Sequence, residues 1–566
     1  MPHINTITRR DFLQRALAGG AGAGLAALMN LPPFATRALA EGNIGINGKK
    51  LLFIFLRGGN DALNTVVPIG DSAYSLPTTR ATIAIPSDPG TNYATSGIAC
   101  DFPQSGAGLP TFNYGYAIRA GNGFAALHPS LKFLAPVYNA GDLAMIHRIG
   151  YPRQSRSHFD SQNYWENGLP NNNVSKEGIF YRTVIESGLA ATNALTAVSF
   201  QTALPLLLRG SQAAMTNLTD PLRYDLLGVP NSTSTGDLKA NAALTNAQVT
   251  PFPDKRQRNF LSLQYQNLLN TLTTFASINF TDANPGTVGD GNIFLDDSAT
   301  DGDAPYYLFP TRAEKNGGAY LVGRTNDTNK YAVDSGAYSF FTTLKAAALV
   351  LNNTDAFIAG TEMGGFDTHD TQGGVTGSHA NLQRRIGWAL YALRKYFMIY
   401  GRNGTNPTPG AKTSWNDLVV VTLTEFGRTT VENNSRGTDH AESGVMFAAG
   451  GAVKGFGKNG ATTGVFGCHP SDAVPWITGP ANQAGGVDGS MFGISDRYMK
   501  RAVDYRSVLG RIIRQHLGAT QNQLNRIISA YANEAQEHLL SGGTVASPIE
   551  SGSTTTPLIG EPDFLV

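Results

Sequence analysis

Five short, unbroken apolar runs constrain this chain more than any other feature, because each borders a cluster of polar, glycine-flanked residues. Leu51–Leu56 leads into Arg57-Gly58-Gly59-Asn60-Asp61, and Leu143–Ile146 leads to Ser155-Arg156-Ser157-His158-Phe159-Asp160. Ala356–Ala359 is followed by Gly364-Gly365-Phe366-Asp367-Thr368-His369-Asp370. Leu418–Leu423 ends in Thr424-Glu425-Phe426-Gly427-Arg428, while Gly437-Thr438-Asp439-His440 stands just before Val445–Ala449. Runs that are continuous rather than alternating predict strands buried on both faces, as in a mostly parallel sheet. Leu382, Ile386, Ala389, Leu390 and Leu393 share one face of a helix, and further helices are expected near Val503–Leu517 and Arg256–Phe275. Strands alternating with helices predict an α/β fold with a doubly wound, mostly parallel sheet flanked by helices. Ligands of such sheets bind beyond the carboxyl ends of the strands, where these polar clusters fall.

Residues 1–40 read as an export signal and 41–540 as one α/β domain with long loop insertions near 86–122 and 281–335. The Ser/Thr/Gly-rich tail, 541–566, is expected to be poorly ordered unless docked. Thr8-Arg9-Arg10-Asp11-Phe12-Leu13 has the twin-arginine pattern, and Ala38-Leu39-Ala40 offers small residues for signal cleavage. The apolar stretch between them, Ala16–Met29, is too short and glycine-rich for a membrane span of about 20 residues. The mature chain is therefore expected in the periplasm or outside the cell, with no integral membrane segment after signal removal. Replacing Arg9 and Arg10 by lysine should leave the protein in the cytoplasm; normal export of that variant on cell fractionation would refute the routing.

With 43 Lys+Arg against 42 Asp+Glu, the net charge of +1 supplies no field for nucleic acid. Only Cys100 and Cys468 are present, which excludes a disulfide scaffold and leaves their pairing open. Ligands at the sheet edge are thus carboxylates and imidazoles, which suit Zn²⁺ or Mn²⁺ in preference to Mg²⁺ or Ca²⁺. Asp367, His369 and His440 suffice for a three-ligand site with an open position, and Asp61, Glu425 and Asp439 are further candidate metal ligands. Arg57, Arg428 or Arg156 could clamp an oxyanion, and Ser157 could act as nucleophile with His158 or a metal as its activator. Each has a plain structural alternative: Asp61 or Ser157 as a helix cap, Arg428 as the partner of Glu425.

Leu56–Pro68, Ser155–Asp160, Gly365–His369, Glu425–Thr429 and Gly437–His440, in that order, resemble a large family of twin-arginine-exported bacterial proteins of unknown function. That family is distantly similar to the alkaline phosphatase, sulfatase and cofactor-independent phosphoglycerate mutase superfamily. The resemblance implies an alkaline phosphatase-like fold, with Asp61 as the first-strand metal ligand and Ser157 near the nucleophile. It also implies Asp367 and His369 on one metal, completed by His440. Phe426 stands where the superfamily has the histidine of an Asp-His pair. The expectation is an exported metal-dependent hydrolase acting on phosphate or sulfate esters, its substrate a small anionic ester or a polymer. The alternative is a surface, assembly or polymer-binding protein without catalysis, needing no metal and meeting a protein partner at the cell surface. In that reading aromatic groups such as Tyr306, Tyr307 and Phe309 stack on sugar rings.

Overall fold

The computed structural model describes residues 41, 44–87, 115–191, 193, 195–221, 271, 273–275, 277–280, 308–312, 333–479, 490–492, 498–529, 531, 539–546 and 555–566. The export signal, Cys100, Tyr306, Tyr307 and nearly all of the helix expected at Arg256–Phe275 lie outside them.

The apolar runs are strands. In chain order the main sheet holds β1 (Lys50–Leu56), β2 (Leu143–Gly150), β3 (Ala197–Phe200), β4 (Thr216–Leu218), β5 (Ile358–Met363), β6 (Leu418–Thr424), β7 (Gly444–Ala449), β8 (Val465–Phe466) and β9 (Val503–Asp504). Their spatial order is β8-β2-β7-β6-β1-β5-β3-β4, with β9 also paired to β2. β1 lies at the centre, parallel to β5 and β6, and its side chains alternate between two cores. Leu52, Ile54 and Leu56 pack in one with helices α3 (Tyr338–Asn353) and α4 (Ser378–Tyr400). Leu51, Phe53 and Phe55 pack in the other with α1 (His158–Asn167), α2 (Ile179–Ser187) and α5 (Tyr505–Arg511). Burial on both faces explains why the central stretches of these strands are apolar at consecutive positions. The α/β, doubly wound architecture is the one expected.

β7 alone runs antiparallel, against both β6 and β2. Its first residue, Gly444, pairs with Ile149 near the end of β2. The segment entering β7 is therefore on the edge that the other strands leave, so a residue preceding that strand reaches the same place as residues following β1, β5 and β6.

Two local expectations are corrected. The tail docks: Gly543–Ala546 and Thr555–Leu558 form a hairpin, and Phe564 and Leu565 are buried. Phe309 is no exposed stacking platform but a core residue, its ring 5.8 Å from that of Tyr396. No helix among the described residues is long and apolar enough to cross a membrane.

Four buried histidines give the fold a pH dependence. Burial lowers the pKa of His128 and His147 to about 3 and that of His379 and His516 to about 4. Below about pH 6.5 the unfolded chain therefore binds protons that the folded chain refuses. Their contribution is complete above that pH and is lost as pH falls toward 3–4. Urea midpoints should drop between about pH 7 and about pH 5; an unchanged or rising midpoint would contradict the burial of these rings.

Candidate metal centre

The turn after β1 makes close approach possible. Gly58 and Gly59 have φ of +119° and +81°. A Cβ on Gly58 would lie 2.4 Å from the Asp367 backbone nitrogen, and one on Gly59 would lie 2.5 Å from the Phe426 ring. Only glycine lets the three loops after β1, β5 and β6 meet here. Arg428, buried, fastens them: its guanidinium donates to the carbonyls of Gly58, Gly59, Phe366 and Thr438 and to Asp367 Oδ1 at 2.6 Å. It pairs with Asp367 and not with Glu425.

Around Asp367 three imidazoles converge. His440 Nε2 and His369 Nε2 each lie 3.0 Å from Asp367 Oδ1, and His158 Nε2 lies 3.4 Å from Asp367 Oδ2. The Nε2 atoms of His369 and His440 are 2.9 Å apart. His158, Asp367 and His440 each bring one ligand atom within 4.8 Å of the others'. Partial burial opposes ionisation of Asp367, but the groups around it, led by the hydrogen bond and charge of Arg428, outweigh it and take its pKa down to about 2.

The other ring nitrogens fix the tautomers. His440 Nδ1 lies 2.9 Å from the Arg156 carbonyl, His369 Nδ1 3.1 Å from Asp439 Oδ1, and His158 Nδ1 3.0 Å from Glu425 Oε1. A carbonyl or carboxylate oxygen only accepts, so each Nδ1 carries the proton and each neutral ring presents a bare lone pair at Nε2. His158 is held above its ordinary pKa by the hydrogen bond to Glu425, whereas burial holds His440 below its own. Glu425 itself is buried, accepting also from Gly58 N at 2.7 Å and Gln162 Nε2 at 3.1 Å, and its Oε2 has no hydrogen-bond partner among the described residues.

Of the sequence-derived candidates, Asp367, His369 and His440 come together as proposed ligands, and His158, first assigned to acid–base work, joins them. Glu425 and Asp439 stand one layer back, behind His158 and His369. The others are engaged elsewhere. Asp61 is fully buried, and both oxygens are taken, by Arg80 (2.6 and 3.1 Å), Gln372 (2.7 Å) and Leu63 N (3.1 Å), leaving no lone pair for an ion. Arg57 is paired with Glu166 at 2.7 Å and Glu362 at 3.0 Å, so it is no free oxyanion clamp. Ser157 is the N-cap of α1, accepting from Asp160 N at 3.4 Å. Sequence reasoning missed Arg80, whose distance of 19 residues from Asp61 gave no periodic signal. It also missed Gln372, which donates to Asp61 and accepts from Thr368 and Thr438, tying the floor of the site to both ligand loops.

A family model described as "Protein of unknown function (DUF1501)" matches residues 323–474. The stretch carries β5, β6, β7, Asp367, His369, Glu425, Arg428, Asp439 and His440, but neither Asp61 nor His158. No curated protein and no solved structure matches the chain.

Proposed function

We propose that this chain is a metal-dependent hydrolase of phosphate or sulfate esters, with His158, Asp367, His369 and His440 as the ligands. One observation carries the reading: two Nε2 lone pairs and a carboxylate oxygen meet within 3.0 Å with no proton among them once each Nδ1 is satisfied. A bound cation would make that arrangement favourable. With four protein ligands and one water, bonds of about 2.0–2.2 Å to a five-coordinate ion correspond to ligand–ligand edges of about 2.8–3.8 Å, a range that holds the spacings of 2.9, 3.0 and 3.4 Å seen here. The carboxylates of Asp367 and Glu425 lie near one buried guanidinium, Arg428, and a divalent ion would offset the surplus negative charge.

Such an ion would polarise an ester oxygen and lower the pKa of a bound water to near neutrality. The protein's part is orientation. Glu425, Asp439 and the Arg156 carbonyl set the three rings, and such outer partners typically govern metal affinity by about 10–100-fold. With Arg57 and Arg428 spent, the exposed Arg156, packed over Tyr498, is a cation beside the site with donors to spare for an anionic group.

Elemental analysis of the purified mature chain, with a panel of phosphate and sulfate esters, tests this reading. Near-stoichiometric Zn or Mn and turnover lost to chelation are expected. Absence of bound metal after incubation with either ion would reject it in favour of a non-catalytic surface role.

A further inference from the structure

The two most exposed large apolar side chains among the described residues both lie at the N-terminal end of α1, beside the histidine cluster. Phe159 is 83% exposed and Val174 84%. We propose that Phe159, flanked by Val174, determines specificity for the organic group of the ester, and that this group is apolar, an aromatic ring or an alkyl chain. The inference rests on the hydrolase reading and names the substrate class of that same site.

The position of Phe159 follows from α1. Its neighbour His158 is the first residue of that helix and a proposed ligand, the two Cα atoms being about 3.8 Å apart. Phe159, Gln162 and Glu166 are spaced i, i+3 and i+7, so they share one helix face. That face turns toward the site: Gln162 Nε2 donates to Glu425 Oε1 at 3.1 Å, and Glu166 pairs with Arg57, the residue after β1, at 2.7 Å. Helix side chains lean toward the N-terminus, so Phe159 leans toward the end of α1 at which His158 meets Asp367. Val174 arrives from the loop that follows α1. Asn173 Nδ2 donates to Asp160 Oδ1 at 2.7 Å, and Asn163 Nδ2 donates to Asn173 Oδ1 at 3.3 Å, so that loop is held against the first turns of the helix.

Chemistry and size select the occupant. The polar side chains between Phe159 and Val174, namely Asp160, Asn163 and Asn173, are bonded to one another, and carbon is what the surface offers. Two residues before His158 stands the exposed Arg156, a cation suited to an anionic group. A cation on one side of His158 and an apolar surface on the other match an ester with one charged and one apolar end. Two side chains fall far short of the roughly 800 Å² per partner that a stable protein interface buries, but they suffice to cover one ring or a short chain.

The test is isothermal titration calorimetry of the full mature chain, incubated with Zn²⁺, against methylphosphonate and phenylphosphonate, with metal content measured on the same samples. Wild type should bind phenylphosphonate about tenfold or more tighter than methylphosphonate, as covering a ring on an aromatic side chain implies. Phe159→Ser should bring that ratio close to one and Phe159→Leu should keep most of it, both at unchanged metal content. Phe159 is exposed, so neither change threatens the core. A ratio near one in wild type, or a ratio undiminished in Phe159→Ser, overturns the proposal. Bound metal without the preference removes this inference alone. Absence of bound metal removes the hydrolase reading and this inference with it.

Discussion

His440→Ala is expected to abolish both metal retention and ester hydrolysis. The imidazole is half-buried, its Nδ1 is fixed on the Arg156 carbonyl, and its Nε2 faces both Asp367 and His369. Removing it takes away the nitrogen that lies 3.0 Å from Asp367 Oδ1 and 2.9 Å from His369 Nε2, so the groups left behind no longer close around an ion. Glu425→Gln should act more gently, because His158 stays in place but loses the carboxylate that orients it; a loss of about 10–100-fold in metal affinity is expected. Ser157→Ala should retain the metal and cost about 0.5–2 kcal/mol of stability as a lost helix cap. Its turnover then separates two chemistries: residual activity near wild type means that a metal-bound water attacks, and its loss means that the Ser157 hydroxyl does. Metal content by elemental analysis and activity, measured on all three variants, decide the matter. Full metal occupancy in His440→Ala would show that the converging nitrogens are not ligands.

Asp61→Ala should produce the largest loss of stability, about 3–5 kcal/mol, because it leaves the Arg80 guanidinium buried without its counter-ion. Asp61 and Arg80 are both fully buried, and their two contacts of 2.6 and 3.1 Å form a bidentate pair. Arg80 also donates to the carbonyls of Thr429 and Thr430, so the damage should spread to the loop that leads to Asp439. A double replacement, Asp61→Ala with Arg80→Met, removes both charges and should recover part of the loss. Urea unfolding of the single and double variants measures this. The ligand role assigned to Asp61 by resemblance makes the opposite forecast, metal loss with little change in stability, and that outcome would refute the structural role described above.

Local order carried the architecture. A strand buried on both faces must be apolar at consecutive positions, and Leu51–Leu56 and Leu418–Leu423 have that pattern without reference to anything else in the chain. The chain that leaves such a strand must turn at the sheet edge, so Asp367, His369 and Glu425 were placed there by position alone. His440 was equally legible as a residue bordering an apolar run. That it precedes its strand and still reaches the same edge follows from β7 being antiparallel, which pairing with β2 and β6 imposes and no local pattern announces.

The roles of these residues were decided only by the tertiary structure. Asp61 and Arg57 sit where the sequence places them, yet Arg80, Gln372, Glu166 and Glu362 consume their polar groups, and Gln372 lies 311 residues from Asp61. Arg428 became a fastener of three loops because Gly58, Gly59, Phe366 and Thr438 all turn carbonyls toward it. His158 changed from acid–base candidate to ligand candidate for the same reason: Glu425, 267 residues away, accepts the hydrogen bond from its Nδ1 and turns Nε2 toward Asp367. The sequence by itself determined the strands, their burial and the edge to which the polar residues go, since those depend on each segment's own hydrophobic pattern. Which of them are free to hold an ion was settled by hydrogen-bond partners drawn from distant segments, because a polar group's chemistry in a buried site is set by what occupies its lone pairs.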